Sequence, residues 1–85
     1  RRMKVNVLYF AWLRERVGVP SESIETTARD VNALIAELSA RDDSYALAFQ
    51  DMSAVRVAVD QQLTSFDTKL ADGAEVAFFP PMTGG

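Results

Sequence analysis

The sequence predicts an α+β domain: a mixed sheet of about five strands with one main helix packed on one face. Three observations predict it. Apolar residues alternate near both ends of the chain, at Val5, Val7 and Tyr9 and at Val76 and Phe78, and again at Val55, Val57 and Val59. One strong helical stripe, Val31, Leu34, Ile35 and Leu38, falls between them at i, i+3, i+4, i+7. The length, 85 residues, gives room for one core and not for two.

The elements follow in order. Lys4 to Phe10 reads as a strand, with Val5, Val7 and Tyr9 on one face and Leu8 and Phe10 on the other. Ala11 to Val17 reads as a short helix in which Leu13 and Val17 pair at i, i+4; Gly18 is its C-cap and Pro20 prevents continuation. A second short strand is expected around Ser23 to Thr26, carrying Ile24 inward. Asp30 is the N-cap of the main helix. Tyr45, Ala48, Phe49 and Met52 keep helical spacing and predict a further helical turn. Val55 to Val59 is the next strand, Asp60 to Gln62 a turn, and Leu63 to Ser65 a short return strand. Asp72-Gly73 marks another turn. Glu75 to Phe79 is the last strand, with Val76 and Phe78 on one face and Ala77 and Phe79 on the other. If the first and last strands pair in parallel they take the centre of the sheet, with the helix crossing right-handed between strand pairs. The simplest closure of this order is the β-grasp arrangement.

Composition narrows the chemistry. Apolar residues make up 48% and charged residues 25%, an ordinary globular balance. The chain has no cysteine, which removes a disulfide framework, a thiolate zinc site and a cysteine nucleophile. It has no histidine, which removes the usual general base and the commonest metal ligand. The net charge of −3 lacks the basic footprint expected of a nucleic-acid binder. No apolar run approaches the roughly 18 residues of a membrane span, so neither nucleic acid nor membrane is an expected partner, and a cytoplasmic setting is expected. Val5 to Trp12 is interrupted by Asn6 and followed by charge, which argues against a signal peptide. Met3 is a candidate natural start.

The acidic residues form no catalytic dyad. Asp42-Asp43 is expected at a solvated helix end or loop, and Asp60, Asp67 and Asp72 at turns, where a short carboxylate binds nearby backbone. No loop spacing supports an oxygen-rich metal site. Arg14 and Arg16 are expected on a solvated face, and Trp12 fits a core edge and a contact surface equally.

The distinctive segment is the end. After the domain, residues 1–79, come Pro80, Pro81, Met82, Thr83, Gly84 and Gly85, read as a flexible Gly-Gly tail, 80–85. The prolines favour polyproline II and hold Phe79 extended, so the last strand continues outward as a stiff lead-in. Six residues reach roughly 20 Å when extended, enough to enter a neighbour's pocket. The two glycines lack Cβ atoms, so a narrow channel admits them with the carboxylate at the tip. The plainer reading is a frayed terminus.

The chain resembles the small subunits of molybdopterin synthase (the MoaD type), which are ubiquitin-like sulfur carriers. The resemblance covers essentially everything from Met3, through KVNVLYFAWLRERVG, DVNALIAEL, SYALAFQD and LTSFDTKLADGAEVAFFPPMTGG. The end segment is its specific part, since Gly-Gly alone also fits thiazole-pathway carriers and protein modifiers. Met82 departs from the smaller aliphatic residue expected there but keeps the position apolar. The resemblance implies that Gly85, supported by Gly84, is adenylated at its carboxylate by an E1-like enzyme using ATP and then converted to a thiocarboxylate. Its sulfur would pass to cyclic pyranopterin monophosphate in molybdenum cofactor biosynthesis. The chain would be the non-catalytic subunit of a sulfurtransferase, binding no cofactor itself and forming a heterotetramer with a large catalytic subunit.

Strand parity supplies a face for such a partner. With Val5, Val7, Tyr9, Val76, Phe78 and the valines at 55, 57 and 59 toward the helix, Leu8, Phe10, Ala77 and Phe79 lie opposite, joined by Leu63. Phe10, Leu63, Phe79, Pro80, Pro81, Met82 and Thr83 are the candidate partner-binding residues.

Overall fold

The computed structural model describes residues 2–81. Strand β1 (Met3–Tyr9) leads into helix α1 (Ala11–Val17) and strand β2 (Ser21–Thr26). The main helix α2 (Val31–Arg41) and the short α3 (Asp43–Ala48) follow, then β3 (Arg56–Val59), β4 (Gln62–Thr64) and β5 (Glu75–Phe79). The sheet order is β2-β1-β5-β3-β4. The first and last strands pair in parallel, which meets the condition for the β-grasp closure, and every other pairing is antiparallel.

Hydrophobic pattern sets the register. Val7 pairs with Val76, and Val76 with Val59; Tyr9 pairs with Phe78, and Phe78 with Val57. These rows share the face that carries the helices, and most of their members are fully buried. A slip of one residue would turn each set toward the opposite face, so the burial of one side fixes the pairing. Phe78 anchors the layer, meeting Phe49 edge-on at 4.9 Å between ring centroids and stacking on Tyr9 at 6.2 Å.

Helix α2 starts where its sequence predicts. The Asp30 carboxylate accepts from the Ala33 N–H at 2.8 Å. Two more of the unpaired amides of the first turn, on Val31 and Asn32, donate to the carbonyls of Thr68 and Phe66 at 3.1 and 2.8 Å. The loop between β4 and β5 thus caps the helix from outside it. Val31, Leu34, Ile35 and Leu38 are buried as the stripe requires. Asp42 ends α2 and caps α3 through the Ser44 N–H at 3.1 Å.

The boundaries differ from the sequence reading in several places, β1 beginning at Met3 and β3 at Arg56. Phe10 leaves β1 to become the N-cap of α1, β2 begins at Ser21, and β4 runs 62–64. Met52 does not extend α3: Asp51 accepts from the Ser53 N–H at 3.1 Å and starts a separate 3-10 turn, Met52–Ala54. Met52 still packs at the margin of the core, which is why its spacing looked helical.

The turns follow their chemistry. Gly18 closes α1 at φ 96°, and its N–H donates to the Arg14 carbonyl at 2.8 Å. Asp60 and Gln61 both have positive φ, 52° and 70°, giving a two-residue hairpin between β3 and β4 that follows the sheet twist. The carboxylates of Asp60 and Asp72 accept from the backbone N–H groups of Glu75 and Lys4 at 3.0 and 2.8 Å, and Asp67 accepts from the Ser65 hydroxyl. Among the described residues, no helix is long and apolar enough to cross a membrane.

Candidate functional site

The helices cover one face of the sheet. The other carries a row of small and apolar side chains running straight across four strands. Leu8 on β1 pairs with Ala77 on β5, Ala77 with Ala58 on β3, and Ala58 with Leu63 on β4. Direct partners share a face, so this row is continuous from the second strand of the sheet to its edge. Leu63 is 71% exposed and Phe10 is 45% exposed. Ala77 is buried although it lies on the open side and does not belong to the main core.

Along the length of β5 on this face lies a depression of about 520 Å³ lined by Leu8, Phe10, Ala11, Gln61, Glu75, Ala77, Phe79, Pro80 and Pro81. Four of the residues singled out from the sequence, Phe10, Phe79, Pro80 and Pro81, therefore come together. Leu63 stands apart from the depression but shares its apolar row. Met82, Thr83, Gly84 and Gly85 lie outside the described residues. The exposure of Phe10 follows from backbone geometry. Ala11 takes φ 54°, a left-handed value unusual for alanine, as the chain turns from β1 into α1. The Phe10 N–H still completes the sheet by donating to the Phe78 carbonyl at 3.1 Å, beside the strand end that becomes the tail.

Sequence reasoning missed Ala58, Gln61 and Glu75 on this face. Parity would have found Ala58, which stands between two inward-facing valines. Trp12 resolves as a half-buried residue packed on the core edge, with the Arg16 guanidinium 5.8 Å from its ring centroid. Arg14 and Arg16 are exposed, as expected.

A second missed feature lies under the helices. Glu22 on β2 accepts from the Tyr9 hydroxyl at 2.9 Å and from the Tyr45 hydroxyl at 2.6 Å, both on one carboxylate oxygen. Its other oxygen is 3.6 Å from the Arg41 guanidinium, which also lies 5.4 Å from the Tyr45 ring centroid. Burial, reinforced by donation to the Glu22 carboxylate, pushes the Tyr45 hydroxyl up to about 12 and raises that of Tyr9 well above the ordinary tyrosine range. The cluster joins β1, β2 and the α2–α3 junction.

Among the described residues, no group of three or more acidic side chains is placed to hold a metal ion, and no buried side-chain polar atom lacks a partner. What the open face offers is a surface with three exposed or half-exposed anchors: Phe10 and Phe79 in the depression with Pro80 and Pro81, and Leu63 farther along the same apolar row. Full burial of such a side chain contributes roughly 1.5–3 kcal/mol before the costs of association.

Known proteins share this layout. The sequence model of the ThiS family matches residues 7–85. The chain is 46% identical to the molybdopterin synthase sulfur carrier subunit of Escherichia coli (strain K12) over 81 residues, 95% of this chain and 99% of that one. Among solved structures, it superposes on the candidate molybdopterin converting factor subunit 1 of Pyrococcus furiosus with a TM-score of 0.77 at 36% identity, covering 94% of this chain and 99% of the other. A solved complex of subunits 1 and 2 of the molybdopterin-converting factor from Helicobacter pylori 26695 contains a chain that matches with a TM-score of 0.64 at 25% identity, covering 98% of this chain and all of that one (100%). A β-grasp sheet, an uncovered apolar row and near full-length likeness to molybdopterin synthase sulfur carrier subunits agree: the chain belongs to the ThiS family.

Proposed function

We propose that this chain is the sulfur-carrier subunit of a molybdopterin synthase and that its reactive group is the main-chain carboxylate of Gly85. A carboxylate is a poor electrophile. Adenylation by an E1-like partner using ATP would give a mixed anhydride with a good leaving group, and a sulfur donor would convert it to a thiocarboxylate. The thiocarboxylate sulfur is a nucleophile that needs no side chain, and it would be delivered to cyclic pyranopterin monophosphate in the large subunit. General acid and base work belongs to the partners, and ATP is used by the activating enzyme rather than bound here.

One observation carries this reading. The apolar row Leu8–Ala77–Ala58–Leu63 enters the depression through Leu8 and Ala77, and Phe10, Phe79, Pro80 and Pro81 line the same depression just ahead of Gly84-Gly85 in the sequence. A partner seated on the row would receive the tail directly. The complex of subunits 1 and 2 from Helicobacter pylori supports a large-subunit partner. The two-plus-two assembly is part of the proposal.

Mass spectrometry after incubation with the activating enzyme, ATP and a sulfur source is expected to show one oxygen of the chain replaced by sulfur. Deletion of Gly84-Gly85 is expected to abolish that exchange and leave the fold unchanged. Recovery of a thiazole synthase in place of a large molybdopterin synthase subunit would redirect the sulfur to the thiazole pathway. Conjugates in cell extract that vanish on deletion of Gly85 would instead mark a protein modifier.

A further inference from the structure

The sheet has two edges, and they are not alike. β4 is three residues long and is the return arm of a hairpin. β2 runs for six residues, Ser21–Thr26, with no proline, no lysine and an unbroken register against β1. An edge strand of that length is commonly guarded, because its outward main-chain groups are a template for another strand.

Hydrogen-bond parity identifies the groups of β2 that face outward. The Tyr9 N–H donates to the Pro20 carbonyl at 2.9 Å, so that row is bonded, and with it Val7–Glu22, Val5–Ile24 and Met3–Thr26. The intervening β1 residues turn to the other side: the Asn6 N–H donates to the Ala74 carbonyl at 2.9 Å, and the Lys4 carbonyl accepts from the Gly73 N–H at 2.7 Å. The residues opposite them on β2, Ser21, Ser23 and Glu25, therefore direct both N–H and C=O away from the sheet. All three are exposed, and none of these groups has a backbone partner among the described residues. Side chains leave the edge clear. On the covered face Glu37 accepts from the Thr26 hydroxyl at 2.6 Å, and Arg41 lies 3.6 Å from the Glu22 carboxylate. On the open face Glu25 pairs with Arg2 at 3.2 Å. Each glutamate of β2 thus has an arginine that offsets part of the charge that would guard the edge.

We propose that β2 is a self-association edge, pairing antiparallel with β2 of a second copy about a two-fold axis at Ser23. Charge and bonding select this register. Ser23 stands opposite Ser23, Ser21 opposite Glu25, and Glu22 opposite Ile24. All three outward residues of each copy then find partners within β2, and no glutamate faces a glutamate. Registers centred on Glu22 or Glu25 set like charges directly across and leave outward groups of β2 unpaired. The joined sheet keeps the helices of both copies on one side. Because β2 is the edge farthest from β4, the apolar row ending at Leu63 stays open on both copies. The pairing uses described residues alone and is independent of the chemistry of the chain end.

Sedimentation of the full chain from micromolar to millimolar concentration is expected to show a monomer–dimer equilibrium. Hydrogen exchange at the Ser21, Ser23 and Glu25 amides is expected to slow in step, while Glu22 and Ile24 are protected throughout. Ser23→Pro removes the central N–H, and Ser23→Lys sets two ammonium groups across the axis. Each is expected to stay folded by circular dichroism and to weaken the dimer at least roughly tenfold. The chain has no cysteine, so introduced thiols report the register. Ser23→Cys, with Cα atoms about 5.5 Å apart across the axis, is expected to give a disulfide dimer on mild oxidation. Ser21→Cys, facing Glu25, is expected to give far less. A chain that stays monomeric at millimolar concentration overturns the inference, as does a dimer that survives both Ser23 variants or crosslinks equally at the two positions. A dimer lost on Leu63→Glu but not on Ser23→Lys would assign the contact to the open face instead. Protection of the three amides only on addition of the large subunit would give the edge to that partner and likewise overturn self-pairing.

Discussion

The two faces of the sheet are built from the same strands, residue by residue in alternation, yet they do different things. On the helix side Val5, Val7, Val57, Val76 and Phe78 are essentially inaccessible and meet rings and aliphatic chains from α1, α2 and α3. On the other side the row from Leu8 to Leu63 is apolar too, but none of the described elements lies over it, and Leu63 and Phe10 stay exposed. The same kind of side chain thus stabilises the fold on one face and is available for association on the other. Neighbouring residues make the contrast testable, because Phe78 and Phe79 are adjacent, aromatic and on opposite faces.

The largest expected effect is Phe78→Ala, which removes the ring that meets Phe49 and Tyr9 and should cost about 3–5 kcal/mol of stability by urea denaturation. Phe79→Ala should cost well under half of that; equal losses would erase the distinction between the faces. Next come Phe10→Ala and Leu63→Ala. Each should leave the urea midpoint nearly unchanged and weaken binding to the large subunit by about 1–3 kcal/mol, measured by calorimetry. Unchanged binding in both would remove the docking role of the row.

A smaller effect concerns the polar cluster on the covered side. Glu22→Gln keeps an acceptor for the two tyrosines but loses the charge, and should cost about 1–2 kcal/mol. The pH dependence has a definite sign. Both tyrosine pKa values are raised on folding, so the native state holds these protons more tightly than the unfolded chain. Their contribution is complete below about pH 10 and is lost as pH rises from there toward 12 and beyond. Urea midpoints across that range should fall, and ultraviolet titration should find Tyr45 ionising at lower pH in Glu22→Gln. The smallest change is Ala11→Gly, which relieves the left-handed φ of 54° and should raise stability by up to about 1 kcal/mol with the tail root intact.

Much of the covered face was legible because it rests on local rules. Asp30 caps a helix whose stripe begins at Val31, Gly18 closes α1, and β5 runs from Glu75 to Phe79 as alternation predicts. The open face was legible by subtraction, since parity fixes what points away once the core side is known. What escaped depends on contacts remote in sequence. Glu22 receives hydroxyls from residues 13 and 23 positions away, and no local pattern marks a glutamate on an edge strand as their acceptor. Ala77 is buried on the open side between Leu8 and Ala58, a placement set by register rather than by composition. The separate turn at Met52 depends on Asp51 capturing a backbone amide, which competes with an apolar spacing that points to a longer helix.

The position of β5 between β1 and β3 has a mechanical consequence. The strand that leads into the tail is held on both sides, by parallel bonds to β1 and antiparallel bonds to β3. A pull on the tail along the strand loads these two ladders in shear, so that many bonds resist together instead of opening one after another. A partner can tug on the end of this chain without peeling the domain apart.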